Sequence, residues 1–131
     1  MIVFCTYCSA RKYRVDYPFP AIEVYRSERI NHVHRASLEA NAECLILSGK
    51  YGLLSTVDKI AYYDHLLKAE EVEAHAQVLV HQLQEKGVSK VIFWMNSVES
   101  DHQLEPYLDC IELACKRALV PIEIRVAQFA D

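Results

Sequence analysis

Ser48-Gly49-Lys50-Tyr51-Gly52 interrupts the apolar run CLILSGKYGLL at residues 44–54 and sets a lysine between two of the chain's three glycines. Glycine is scarce here, so these two are expected where the backbone takes positive φ or passes close to another segment, with Lys50 presented at the rim of the turn. Neither G-x-x-x-x-G-K-[ST] nor G-x-G-x-x-G is present, which argues against a nucleoside-triphosphatase or dinucleotide loop. Two further clusters carry reactive side chains. Cys8-Ser9-Ala10-Arg11-Lys12 joins a thiol, a hydroxyl and two cations, and Tyr62-Tyr63-Asp64-His65 sets a carboxylate after two aromatic rings.

These residue types suit a pocket for a planar base, which needs stacking, polar groups for the base edge, cations for a phosphate and a carboxylate to orient water or offset positive charge. Tyr51, Tyr62 or Tyr63 would stack; Ser9, Ser48 and Asn96 would read polar edges; Arg11, Lys12 and Lys50 would hold phosphate; Asp64 would be the base or charge stabiliser. A lysine desolvated beside another cation becomes an amine nucleophile, and Lys12 and Lys50 on adjacent loops would form such a pair. Lys12, Lys50 and Asp64 are therefore the candidate catalytic residues. Cys8, Ser9, Arg11, Ser48, Tyr51, Gly52, Tyr63 and Asn96 are the candidate binding residues.

CTYC at residues 5–8 also fits a redox or zinc reading, but neither is completed. A dithiol motif belongs in a thioredoxin arrangement, whose sheet is mixed. Zinc needs two more ligands, and Cys110 and Cys115 would lie about 140° apart around a helix. No metal and no cofactor are expected. The odd count of five cysteines speaks for reduced thiols, mostly in the core.

Four apolar segments, 2–7, 44–48, 90–96 and 122–128, read as strands, the first three nearly continuously apolar as in a sheet covered on both faces. Amphipathic stretches at about 27–42, 70–86 and 104–119 read as helices between them, with Ile30, Val33 and Leu38 inward in the first and Gly87 ending the second. The βαβαβαβ order predicts one α/β domain over residues 1–131, a three-layer αβα sandwich around a four-stranded parallel sheet. Ligands of such sheets bind outside the carboxyl ends of the strands. The loops YCSARKYR, SGKYGLLSTVDKIAYYDHLL and NSVESDH leave those ends, so the three clusters and Asn96 meet at one rim.

Charge narrows the partner. The net charge of -4 gives no general attraction to polyanions, although residues 1–35 carry six basic against three acidic side chains. A small nucleobase or nucleotide is the expected ligand, with nucleic acid as a further partner class. No segment reaches the roughly 18 to 20 apolar residues of a membrane helix, and MIVFC precedes its positive charges, the reverse of a secretion signal, so a cytoplasmic location without membrane contact is expected. Two functions compete: an enzyme modifying a nucleobase, nucleotide or nucleic-acid base, and a non-catalytic nucleotide- or nucleic-acid-binding module in a stress-response context. The enzyme requires Asp64 and a lysine to face one vacant spot, whereas a binding module spreads its cations over an open surface.

CSARK at 8–12, P-A-x-x-x-Y at 20–25, LILSGKYGLL and I-x-Y-Y-D ending at Asp64 resemble an uncharacterised family of small bacterial proteins with CSxxK, PAxxLY, LSAKYGL and YD motifs. That family is distantly similar to bacterial peroxide-stress response proteins and to the catalytic region of archaeosine synthase. The resemblance implies a uracil-DNA glycosylase-like fold with strand order 2-1-3-4. It covers about the first 65 residues and singles out Cys8, Ser9, Lys12, Ser48, Lys50, Tyr51, Gly52, Tyr63 and Asp64. Tyr7 stands where relatives commonly have proline and Gly49 where they have alanine. The further tyrosine, serine and histidine spacing of archaeosine synthase is not matched, so its substrate is not carried over.

Overall fold

The computed structural model describes all of residues 1–131. Its elements are β1 (Ile2–Tyr7), β2 (Phe19–Pro20), α1 (Ala21–Val24), α2 (Glu28–Glu39), β3 (Glu43–Ser48), β4 (Gly52–Ser55), β5 (Lys59–Ile60), α3 (Val72–Lys86), β6 (Lys90–Met95), α4 (Glu105–Ala118) and β7 (Ile122–Val126), with 3-10 turns at Ala69–Glu71 and His102–Leu104 leading into α3 and α4. The four strands and three long helices expected from the apolar pattern are all present. The main sheet runs β4-β3-β1-β6-β7, with β3, β1, β6 and β7 parallel and β4 antiparallel to β3. β7 is outermost on one side, hydrogen-bonded to β6 alone.

The expected four-stranded, purely parallel sheet is therefore corrected to a mixed sheet of five strands. After β3 the chain does not run out as a loop. Ser48 Oγ accepts the backbone N–H groups of Lys50 and Tyr51 at 3.1 and 3.0 Å, and Gly52 takes φ of +79°, so the chain reverses and residues 52–55 pair back onto 45–48. β2 and β5 pair antiparallel as a separate two-stranded sheet, Phe19 opposite Ile60 and Pro20 opposite Lys59.

Alternation along the central strands distributes their side chains to two faces. Phe4, Cys44 and Ile92 form one cluster with Val33 of α2. Val3, Cys5, Leu45, Leu47, Val91 and Phe93 belong to the larger core with Leu79 and Leu83 of α3 and Ile111 and Cys115 of α4. The helix ends follow local chemistry. Ser27 Oγ accepts the Ile30 N–H at 3.0 Å to start α2, and Gly87 at φ +66° stops α3. One inward assignment fails: Leu38 is 65% exposed, while Arg29, Val33 and Ser37, four residues apart, form the buried stripe of α2. No helix is long and apolar enough to cross a membrane.

Candidate functional site

The carboxyl ends of β1 and β6, the segment before α3, the start of α4 and the segment after β7 enclose a cavity of about 490 Å³. Cys8, Ser9, Arg11, Lys12, Asp64 and Asn96 line it, so six of the candidate residues meet there across nearly ninety positions of sequence. Its walls also include Tyr7, Tyr107 and Phe129 as aromatic surfaces, and Arg29 and Asp131 as an opposed charge pair.

The loop after β1 is fixed by short pairings. Cys8 donates its N–H to the Leu47 carbonyl at 2.8 Å, extending the β1–β3 ladder by one bond, and Ser9 Oγ donates to the Arg11 carbonyl at 2.6 Å. Lys12 pairs with Tyr25 as an isolated antiparallel bridge, flanked by Tyr13 N–H to Val24 O and Arg26 N–H to Arg11 O at 2.8 and 2.9 Å. The Lys12 ammonium is thereby held 4.6 Å from the Tyr63 ring centre and 5.9 Å from that of Tyr25, within cation–π range. Lys50 reaches the same ring, 5.9 Å from the Tyr63 centre and 5.1 Å from that of Tyr51. The two lysines therefore stand on one rim, around one tyrosine. Lys50 is solvent-exposed and outside the cavity, so the two lysines do not share a desolvated site.

Asp64 is exposed on the cavity wall and makes no ion pair or hydrogen bond with another side chain. It lies in an extended segment, four residues before the 3-10 turn that begins after Lys68, and does not cap a helix. Lys12 and Asp64 thus face one vacant space without neutralising each other directly. Next to them, His65 Nε2 lies 3.0 Å from the Glu71 carboxylate, which Glu71 shares with the Lys68 N–H. The backbone bond from Lys68 and the His65 ring hold the Glu71 carboxyl below its ordinary value.

Several candidates have structural rather than ligand-facing positions. Ser48 is fully buried, and its Oγ is saturated: it accepts two N–H groups and, having no lone pair left, donates to Tyr63 Oη at 2.7 Å. Tyr63 Oη is in turn 2.5 Å from Tyr25 Oη, giving a buried Ser48–Tyr63–Tyr25 hydroxyl chain. Burial pushes the Tyr25 and Tyr63 phenols well above their ordinary value and keeps them protonated. Tyr63 is itself buried, with the edge of Tyr51 packed on it at 5.3 Å, so neither ring is free to stack a base in the cavity. Asn96 lines the cavity with its side-chain amide engaged inside the chain. Its amide donates to the carbonyls of Asp131 and Phe129 at 2.9 and 3.4 Å and its Oδ1 accepts the Phe129 N–H at 3.0 Å, which leaves it as the clamp for the segment after β7.

Both glycines of the SGKYG turn are explained by their neighbours. A Cβ on Gly49 would stand 3.0 Å from both the His65 carbonyl and Tyr107 Oη, so glycine lets the segment bearing Asp64 and the α4 tyrosine close onto the turn. Gly52 combines its positive φ with Gln82, whose amide bonds Leu53 N–H and Tyr51 O at 2.7 and 3.1 Å. Gly52 therefore shapes the hairpin and does not touch the cavity. Replacing Ser48 with alanine is expected to destabilise the fold by about 1 to 3 kcal/mol, because two N–H groups and a buried phenol lose their partner. Urea denaturation of the Ser48→Ala variant checks this.

The residue that sequence reasoning missed is Arg29. It is 1% exposed, donates from Nη1 to Thr6 Oγ1 and the Tyr7 carbonyl at 2.6 and 2.5 Å and from Nη2 to the Cys8 carbonyl at 3.2 Å, and covers the Tyr7 ring with its guanidinium 3.5 Å from the centre. Burial lowers its pKa, while Tyr7 and Asp131 act in the opposite sense. A signal was available: Arg29 sits four residues before Val33 on the inward stripe, and a charge there requires a partner inside. Tyr107 was also missed, although its Oη accepts the Leu67 N–H at 3.1 Å and lies 3.7 Å from Cys8 Sγ. No three His, Cys, Asp or Glu side chains are grouped so as to share a metal ion.

Fold and cavity together define an α/β protein with a pocket of mixed polar and apolar lining at the carboxyl edge of a mostly parallel sheet. The model of a family of unknown function, DUF6884, matches residues 3–112, and the chain belongs to that family. No curated protein and no solved structure matches it.

Proposed function

We propose that the cavity binds a nucleobase or nucleotide, and that the chain modifies a base through Lys12 and Asp64. The carrying observation is that Lys12 and Asp64 line one cavity of about 490 Å³ without forming an ion pair with each other. That volume lies in the ordinary range for small-ligand pockets, roughly 300 to 1,000 Å³. Tyr7, Tyr107 and Phe129 supply flat apolar surface, and Ser9 and Gln103 supply polar edge contacts. Asp64 acts as general base or offsets positive charge on the base, and Lys12 holds the phosphate or donates to the leaving group. The short CSARK, SGKYG and YYD motifs support kinship with the uracil-DNA glycosylase-like proteins, as does the parallel order β3-β1-β6-β7.

The non-catalytic reading draws on a second, more open hollow of about 600 Å³ beside the first, whose walls carry Arg11 and Arg26. Glu23, Glu28 and Asp131 line the same hollow, so its charge is mixed, and its open form rather than its cations suits a binding module. Thermal shift against nucleobases, nucleosides, nucleotides and short oligonucleotides tests both. A ligand at 100 times its Kd is expected to stabilise the wild type by about 2.7 kcal/mol, and Lys12→Ala and Asp64→Ala to lose most of that effect while keeping their own melting transitions. Product formation with the ligand so found separates enzyme from binding module. No response from any probe, or equal responses from wild type and both variants, would remove this site from consideration.

A further inference from the structure

The segment after β7 ends by placing a carboxylate on the start of a helix. Asp131 Oδ1 accepts the Arg29 backbone N–H at 3.1 Å, Oδ2 accepts Ser27 Oγ in a short hydrogen bond, and the Arg29 guanidinium lies 3.6 Å from Oδ2. α2 is a twelve-residue helix whose Ile30 N–H is already taken by Ser27 Oγ and whose first turn carries Glu28, so an anion replacing the Asp131 carboxylate would meet the Arg29 N–H, the Ser27 hydroxyl and the positive end of the helix. We propose that this first turn and Arg29 together form a phosphomonoester site, which the Asp131 carboxylate fills in the unliganded chain and yields to a ligand.

The fit between Asp131 and Arg29 is incomplete. Arg29 has five N–H donors; three bonds go to Thr6, Tyr7 and Cys8, its buried Nε has no partner, and the 3.6 Å approach to Asp131 is too long for a hydrogen bond. A fully buried guanidinium with unpaired N–H groups is costly. A planar carboxylate offers two oxygens, already divided between Ser27 and the Arg29 backbone, whereas a phosphomonoester brings three and can bond guanidinium and helix turn together.

The position also suits a nucleotide. Ala130 and Asp131 line both hollows, with Arg11 as the third shared wall. Withdrawal of this short stretch joins the two into one groove, with the phosphate at α2 and the base against Tyr107. The stretch is irregular and, besides the Asp131 contacts to Ser27 and Arg29, is held by Asn96 and one Ala127 N–H to Met95 O bond of 2.9 Å. The site deepens the nucleotide reading above and rests on it for the class of ligand.

Titration calorimetry with inorganic phosphate, a nucleoside and its 5′-monophosphate, on wild type and Asp131→Ala, provides the test. If the carboxylate occupies the site about nine-tenths of the time, its removal tightens phosphate and monophosphate binding about tenfold and leaves the nucleoside unchanged. Phosphate binding equally to both proteins, or to neither, overturns the anion site. Nucleoside binding together with no Asp131 effect on phosphate or monophosphate would also overturn it while preserving the base cavity. A phosphate effect with no discrimination among nucleosides would keep the anion site and remove the base reading. Asp131→Asn, which retains shape and one of the two acceptor oxygens but not charge, is expected to fall between the two, and its melting temperature reports that folding is intact.

Discussion

Raising the pH from about 8 to about 10 is expected to remove on the order of 4 kcal/mol of folding stability. Burial pushes the thiols of Cys44, Cys110 and Cys115 up to about 12 from an ordinary value of 9.0. The unfolded chain ionises these thiols from about pH 9 upward while the folded chain keeps them neutral. The stabilising difference is complete below the unfolded value and is lost as the pH climbs towards 12. At pH 10 each thiol contributes about 1.4 kcal/mol to that loss. Cys5, also raised by burial, acts in the same direction, and the buried Tyr25, Tyr63 and Tyr107 phenols join once the pH passes their unfolded value near 10. Urea midpoints measured under reducing conditions across this range check the slope. A flat profile would mean that the three thiols are open to water in the folded protein.

Arg29→Met is expected to cost about 3 to 5 kcal/mol, a large share of the total stability of a domain this size. Methionine fills similar volume but donates nothing, so Thr6 Oγ1 and the carbonyls of Tyr7 and Cys8 lose their shared donor where β1 enters the cavity. Asp131 contributes less to the loss, because its side chain is 15% exposed and can be rehydrated. Adding Asp131→Asn to Arg29→Met should therefore recover only a small part. A drop of roughly 10 °C or more in melting temperature is the corresponding thermal result. Arg29→Lys should also be destabilised, since a compact ammonium cannot reproduce the fork that spans three acceptors. A cost under about 1 kcal/mol for Arg29→Met would show that the three acceptors find other donors.

Long, strongly patterned elements were readable because their burial depends on residue spacing alone. β1 was placed to the residue, and α3 and α4 to within two residues at either end. β4 was not, because GLLS is apolar like the run before it and nothing in its pattern distinguishes a continued excursion from a reversal. The deciding interactions are tertiary: Ser48 Oγ bonding forward to two backbone groups, and Gln82 on α3 clamping Tyr51 and Leu53. The site was legible in a similar measure. Parallel strands oblige their exit loops to share a rim, which is why Lys12, Asp64 and the CSARK loop could be grouped in advance. Residue type could not separate a serine or asparagine that meets a ligand from one that holds a turn, and the side chains of Ser48 and Asn96 are engaged inside the chain. Arg29 escaped notice because a basic residue in a charged helix looks solvated until its stripe is known to be interior.

β7 leaves one whole margin of the sheet without a neighbour. Bare margins invite a strand from another molecule, the first step of fibril-like growth. Here the margin begins just after Pro121, lasts only five residues, and carries Glu123 bound to both Lys90 and Arg125. An incoming strand would have to strip water from that charged trio. A short, salted border of this kind disfavours edge-to-edge pairing with a second copy.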